Sequence, residues 1–81
     1  MNAPRENPSG TLMRLAQAAE ASGVSRQTIE YYIMIGLVRP IRRGKSRFFD
    51  DRLTRRIRLI RELNESGYTL RDIRQTYLSK R

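Results

Sequence analysis

The chain has 81 residues, with seventeen Lys or Arg against eight Asp or Glu and a formal net charge of +9. That length allows one small domain, able to bury only about 60–65% of the surface its unfolded chain exposes. It has neither cysteine nor histidine, which excludes disulfides and thiolate metal sites and removes the commonest general base and metal ligand.

Residues 1–10, MNAPRENPSG, carry two prolines, two asparagines, a serine and a glycine. They have no apolar core and are not a signal peptide; a disordered arm is expected. No later run reaches the apolar length of a membrane span, and the composition fits a cytoplasmic protein with no cofactor. Thr11 to Arg14 are an extended or irregular lead-in. Leu15 to Ser22, LAQAAEAS, is alanine-rich and predicts a short helix stopped by Gly23.

Ser25 opens the next helix after a minimal turn, as an N-cap whose hydroxyl accepts from the first helical turn. Val24 and Ile29 flank it as a hydrophobic staple. Gly36 ends this helix, and Leu37 can pack back on Tyr32 in a Schellman stop. Helix, glycine turn, helix is the helix-turn-helix pattern. Helical arithmetic turns Ile29, Tyr32 and Ile33 inward and Gln27, Glu30, Tyr31 and Met34 outward. An exposed amide, aromatic and thioether together suit a face that reads nucleic acid. The alternative is an anonymous bundle in which both tyrosines are core.

Pro40 forbids further helix. IRR and SRFF around Gly44–Lys45 predict a small two-stranded hairpin with Arg42, Arg43, Lys45 and Arg47 at its tip. A basic hairpin directly after a helix-turn-helix is a wing. Asp50 or Asp51 caps a third helix reaching Ser66, with an apolar stripe of Leu53, Ile57, Ile60 and Leu63 broadened by Leu59. Gly67 ends it. Thr69 starts a fourth helix, with a capping box to Asp72, a Tyr68–Ile73 staple and a stripe of Leu70, Ile73 and Tyr77 or Leu78.

Ten of the seventeen basic residues fall between positions 39 and 61, with only Asp50 and Asp51 against them, and fifteen of the seventeen are arginine. The arginine fork matches phosphate oxygens, so the stripe points to nucleic acid, with a solvated face or an anionic membrane surface as the alternatives. Some arginines of the third helix are expected to cover its stripe or pair with Glu62 and Glu65, leaving one or two for DNA. Catalysis finds no support: three of the carboxylates sit at caps, no Ser–His or Cys–His arrangement is possible, and no glycine-rich phosphate loop appears.

The stretch SGVSRQTIEYYIMIGLV resembles the second helix of the MerR-family DNA-binding domain, which runs roughly GVS-x-x-TI-R-YY-E-x-x-GLL. Arg47 and Phe49 resemble the wing ending YR-x-Y, and IRLIRELNESGYTLRDI resembles the helices that follow. The resemblance covers about Leu12 to Leu78. It implies a mainly α winged helix-turn-helix of four helices and a two-stranded wing. The second helix would enter the major groove, and Tyr31, Arg47 and the wing would hold the backbone. Family members are usually dimeric transcription regulators that twist promoter DNA. They dimerise through a long following helix and sense ligands or metals beyond it.

Glu30 stands where that pattern has arginine, Ile33 where it has glutamate, and Ser46 replaces the wing tyrosine. The wing is shorter, and these 81 residues include neither the dimer helix nor the sensor region. The isolated chain is therefore expected to be a monomer, dimeric only if a longer chain supplies such a helix. The expected DNA-binding set is Ser25, Arg26, Gln27, Glu30, Tyr31, Arg42, Arg43, Lys45 and Arg47. Glu30 either accepts from a cytosine amino group or pairs with Arg26 or a wing arginine. The functional expectation is sequence-specific binding of double-stranded DNA by a bacterial transcription regulator. An excisionase-like or DNA-bending protein is the nearest alternative, and an adaptor for RNA or an acidic partner a more distant one.

Overall fold

The computed structural model describes residues 12–78, the last two by their backbone alone. The expected N-terminal arm, Thr11, the side chains of Tyr77 and Leu78 and the chain's last three residues lie outside this description. Four helices and one hairpin follow in order: α1 (Leu15–Ser22), α2 (Arg26–Met34), β1 (Ile41–Arg43), β2 (Ser46–Phe48), α3 (Asp51–Glu65) and α4 (Leu70–Ile73). The chain then continues as a π-helical turn, Arg74–Leu78. This mainly helical fold with a two-stranded antiparallel sheet is a winged helix-turn-helix.

Local chemistry sets the helix ends. The Ser25 hydroxyl accepts from the Thr28 N–H at 3.0 Å, which fixes the start of α2. Asp50, not Asp51, caps α3, its Oδ1 accepting from the Leu53 N–H at 2.9 Å. Thr69 accepts from the Asp72 N–H at 3.0 Å. At the end of α2 the Leu37 N–H donates to the Tyr32 carbonyl and the Gly36 N–H to the Ile33 carbonyl, the two bonds of a Schellman motif. Gly36 has φ +87°, a left-handed conformation that L side chains rarely adopt. Arg74 also lies against it, with Nε 3.4 Å from where a β-carbon would stand.

The core lies where α1, α2 and the chain leaving the wing meet α3. Ala18 and Ala19 give α1 a flat buried face. Ile29 and Tyr32 come from α2, Leu53, Ile57 and Ile60 from α3, and Ile73 from α4. Phe49 is the largest fully buried side chain. Each buried Leu, Ile or Phe side chain stabilises the fold by about 1.5–3 kcal/mol. Buried Ser22 is satisfied within its helix, donating to the Ala18 carbonyl at 2.7 Å.

Three expectations are corrected. Leu59 does not broaden the α3 stripe; it is 45% exposed, because two residues beyond Ile57 lies on the far side of a helix. The fourth helix holds α geometry for one turn only, Leu70–Ile73, before widening; so short a helix has little cooperative hold on its own period. The second strand ends at Phe48, and Phe49 leaves the hairpin to pair with Met13 across two backbone bonds of 2.7 and 2.8 Å. The lead-in to α1 is thus tied to the root of the wing.

Candidate nucleic-acid interface

The two adjacent tyrosines of α2 separate as helical spacing requires: Tyr32 is 4% exposed and Tyr31 47%. Gln27, Glu30 and Met34 share the exposed side with Tyr31, and Arg26 stands exposed at its first turn. Ser25 is exposed too, but its hydroxyl is engaged with the Thr28 N–H and, at 2.8 Å, with the Thr28 hydroxyl.

The wing is a two-residue hairpin pairing Ile41 with Phe48, Arg42 with Arg47 and Arg43 with Ser46. Gly44 has φ +60°, and among the described residues no non-glycine residue has positive φ. With Lys45 in the second turn position, that is the pattern of a type II′ turn. Arg42, Arg43 and Lys45 are exposed on β1 and the turn.

Arg47 is not at the tip. It reaches back to α2, where its two terminal nitrogens donate to the two carboxylate oxygens of Glu30 at 3.0 and 2.7 Å. This fork-to-fork contact joins the exposed face of α2 to the wing. Its hydrogen bonding holds the Glu30 carboxyl below the usual carboxylate range and raises Arg47 above its ordinary value. It also offsets the repulsion between Arg42 and Arg47, which oppose each other across the strands. Of the partners the sequence leaves open for Glu30, the structure takes the wing arginine rather than Arg26.

The arginines of α3 have a different task. Arg56 Nε donates to the Leu37 carbonyl at 3.0 Å, Arg58 to the Ala21 carbonyl at 3.0 Å, and Arg61 to the Gly23 carbonyl at 3.2 Å. These carbonyls lie at or just past the ends of α1 and α2, where helices leave acceptors without partners and favour a cation. Arg61 also donates to Glu65 at 3.1 Å, the pairing expected within α3. Burial, followed by the charges of Arg52 and Arg39, lowers the Arg56 pKa from its ordinary value. Arg39, Arg52 and Arg55 remain exposed.

Arg14 stands outside the site expected from the sequence. It precedes α1, far along the chain from the basic stripe, yet its guanidinium carbon lies 4.9 Å from the centre of the Phe48 ring on the wing. No local pattern announces that contact. Among the described residues no three His, Cys, Asp or Glu side chains gather to hold a metal ion, and no helix is long and apolar enough to cross a membrane.

A capped second helix after a three-residue turn, with a basic hairpin pinned against its exposed face, defines the winged helix-turn-helix class of DNA-binding domain. Residues 13–80 match the MerR HTH family of regulatory proteins, and the chain belongs to that family. It is 32% identical over 65 residues to heavy metal-dependent transcription regulator 2 of Rhizobium meliloti (strain 1021), covering 78% of this chain and 44% of that protein. It is 34% identical over 62 residues to the mercuric resistance operon regulatory protein of Bacillus cereus, covering 74% and 47%. The nodulation protein NolA of Bradyrhizobium elkanii is 36% identical over 64 residues, covering 76% and 29%. The chain thus spans less than half the length of these relatives. No solved structure matches it.

Proposed function

We propose that this chain is the DNA-reading unit of a bacterial transcription regulator, acting in the cytoplasm by binding double-stranded DNA rather than by catalysis. The observation that carries the reading is the Glu30–Arg47 fork, which makes α2 and the wing one continuous surface. In that arrangement α2 enters the major groove while the wing follows the adjoining backbone. Arg26 and Gln27 read base edges, each good contact discriminating by about 1–3 kcal/mol. Tyr31, Arg42, Arg43 and Lys45 hold phosphates and set register. Glu30, engaged by Arg47, acts as a positioning residue.

Selection of bound sequences from random duplex DNA, with RNA and anionic vesicles as competitors, tests the proposal. Enrichment of one duplex motif supports it; preferential retention on RNA or vesicles overturns it. The chain alone binds as a monomer, because α4 spends its apolar residues Leu70 and Ile73 on its own core. Light scattering showing a concentration-independent dimer would refute that. A single module of this kind buries only about 600–1,000 Å² of protein surface, so affinity is modest.

A further inference from the structure

Between the start of α1, the start of α2 and the wing runs an open groove of about 500 Å³. Arg14, Arg26, Arg42, Lys45 and Arg47 line it. Among the described residues no carboxylate does, and Glu30 meets this charge through Arg47. These cations come from three separate elements, so only the fold gathers them. Arg47 is already paired with Glu30, and the other four like charges around the opening repel each other unless an anion enters.

We infer that this groove seats a phosphate of the DNA backbone and that Arg14 is one of the residues gripping it, an inference that rests on the DNA-binding reading above. Arg14 is prepared for this. Its side chain stacks on Phe48, and its backbone N–H is held by Gln17 Oε1 at 3.1 Å. Among the described residues its guanidinium has no ion pair. A stacked guanidinium keeps its N–H donors at the edge of the plane, where phosphate oxygens can take them. Leu15 and Ala16 also line the groove, and as the first residues of α1 their N–H groups lack partners within the helix. They add partial positive charge to a site the side chains already define. The groove opens between the wing and the first turn of α2, the two parts assigned to backbone and bases. The occupant that fits is therefore a phosphodiester of the duplex already bound there.

The test uses the duplex recovered by selection, with each phosphate near the site replaced in turn by an uncharged methylphosphonate. Binding is followed by fluorescence anisotropy across salt concentrations for the wild type, Arg14→Gln and Phe48→Leu. Melting curves check that the variants fold. For the wild type, one or two methylphosphonate positions should weaken binding several-fold. Arg14→Gln should be insensitive at one of them, and its slope of log K against log salt should be smaller in magnitude by about 0.9. Phe48→Leu, which removes only the stack, should give a partial form of the same change. If Arg14→Gln binds duplex with the wild-type slope and the wild-type methylphosphonate profile, the groove is not a phosphate seat, although the DNA reading stands. If the wild type binds no duplex, the reading beneath the inference has failed instead.

Discussion

The wing and α3 draw on the same residue type for opposite purposes. On α3, Arg56, Arg58 and Arg61 turn inward along the surface and donate to backbone carbonyls of the helix-turn-helix. On the wing, Arg42 and Arg43 point to solvent, and among the described residues only Arg47 is engaged, by a carboxylate on α2. The first set fixes where α2 stands; the second is left to meet a partner. A count of arginines along the chain therefore overstates the interface. What sorts them is whether an orphan carbonyl lies within reach.

The strongest way to break this comparison is Arg56→Ala. It leaves the Leu37 carbonyl without its donor, and the loss of a charged hydrogen bond costs about 1.5–3 kcal/mol. Thermal melting should show a Tm lower by about 10 °C. If Arg56→Ala instead left Tm unchanged and reduced the salt slope of DNA binding, the two sets would not differ. The wing supplies the converse. Arg42→Ala or Arg43→Ala should stay within about 0.5 kcal/mol of wild-type stability. Each should lower the magnitude of the salt slope by about 0.9 and weaken binding to all sequences alike. Loss of affinity for one sequence only would make the wing a base reader.

Glu30→Gln sharpens the border between the sets. The exposed fork contributes at most about 1 kcal/mol to stability. Because Arg47 depresses the Glu30 carboxyl when folded, that contribution is fully present above the ordinary carboxylate range. It is lost as pH falls through the depressed value. Denaturant titrations of wild type and Glu30→Gln should therefore differ at neutral pH and converge in acid. The variant also frees Arg47, so its salt slope should steepen by up to about 0.9. The smallest effect belongs to Glu65→Gln, which removes an i,i+4 pair worth about 0.3–0.5 kcal/mol while Arg61 keeps the Gly23 carbonyl. A larger loss in denaturant titration would mean that Glu65 holds Arg61 in place.

The features legible in the sequence are those whose causes are local. Ser25, Asp50 and Thr69 cap helices through N–H groups three residues on. Gly36–Leu37 closes α2 through carbonyls of its own last turn. Gly44–Lys45 sets the wing register because a two-residue turn allows only one pairing. The separation of Tyr31 from Tyr32 follows from helical arithmetic alone. The remainder depends on partners far along the chain. Arg56 finds Leu37, Arg58 finds Ala21 and Arg14 finds Phe48, and nothing beside those arginines marks which of them will. For Glu30 the residues nearby narrowed the choice to a base, Arg26 or the wing, and the fold brought Arg47 within reach.

The pairing of Met13 with Phe49 has a consequence for how the molecule opens. The two residues exchange both backbone bonds, and the segment between them contains the whole helix-turn-helix and the wing. Separating them frees the ends of that loop and draws the Phe49 ring out of the core. The Met13 and Phe49 amides should then be among the slowest to exchange with deuterium, releasing only when the entire fold does. Amides at the Gly44–Lys45 turn should exchange through local fraying. The gap between those two rates would measure how much more readily the wing tip opens than its root.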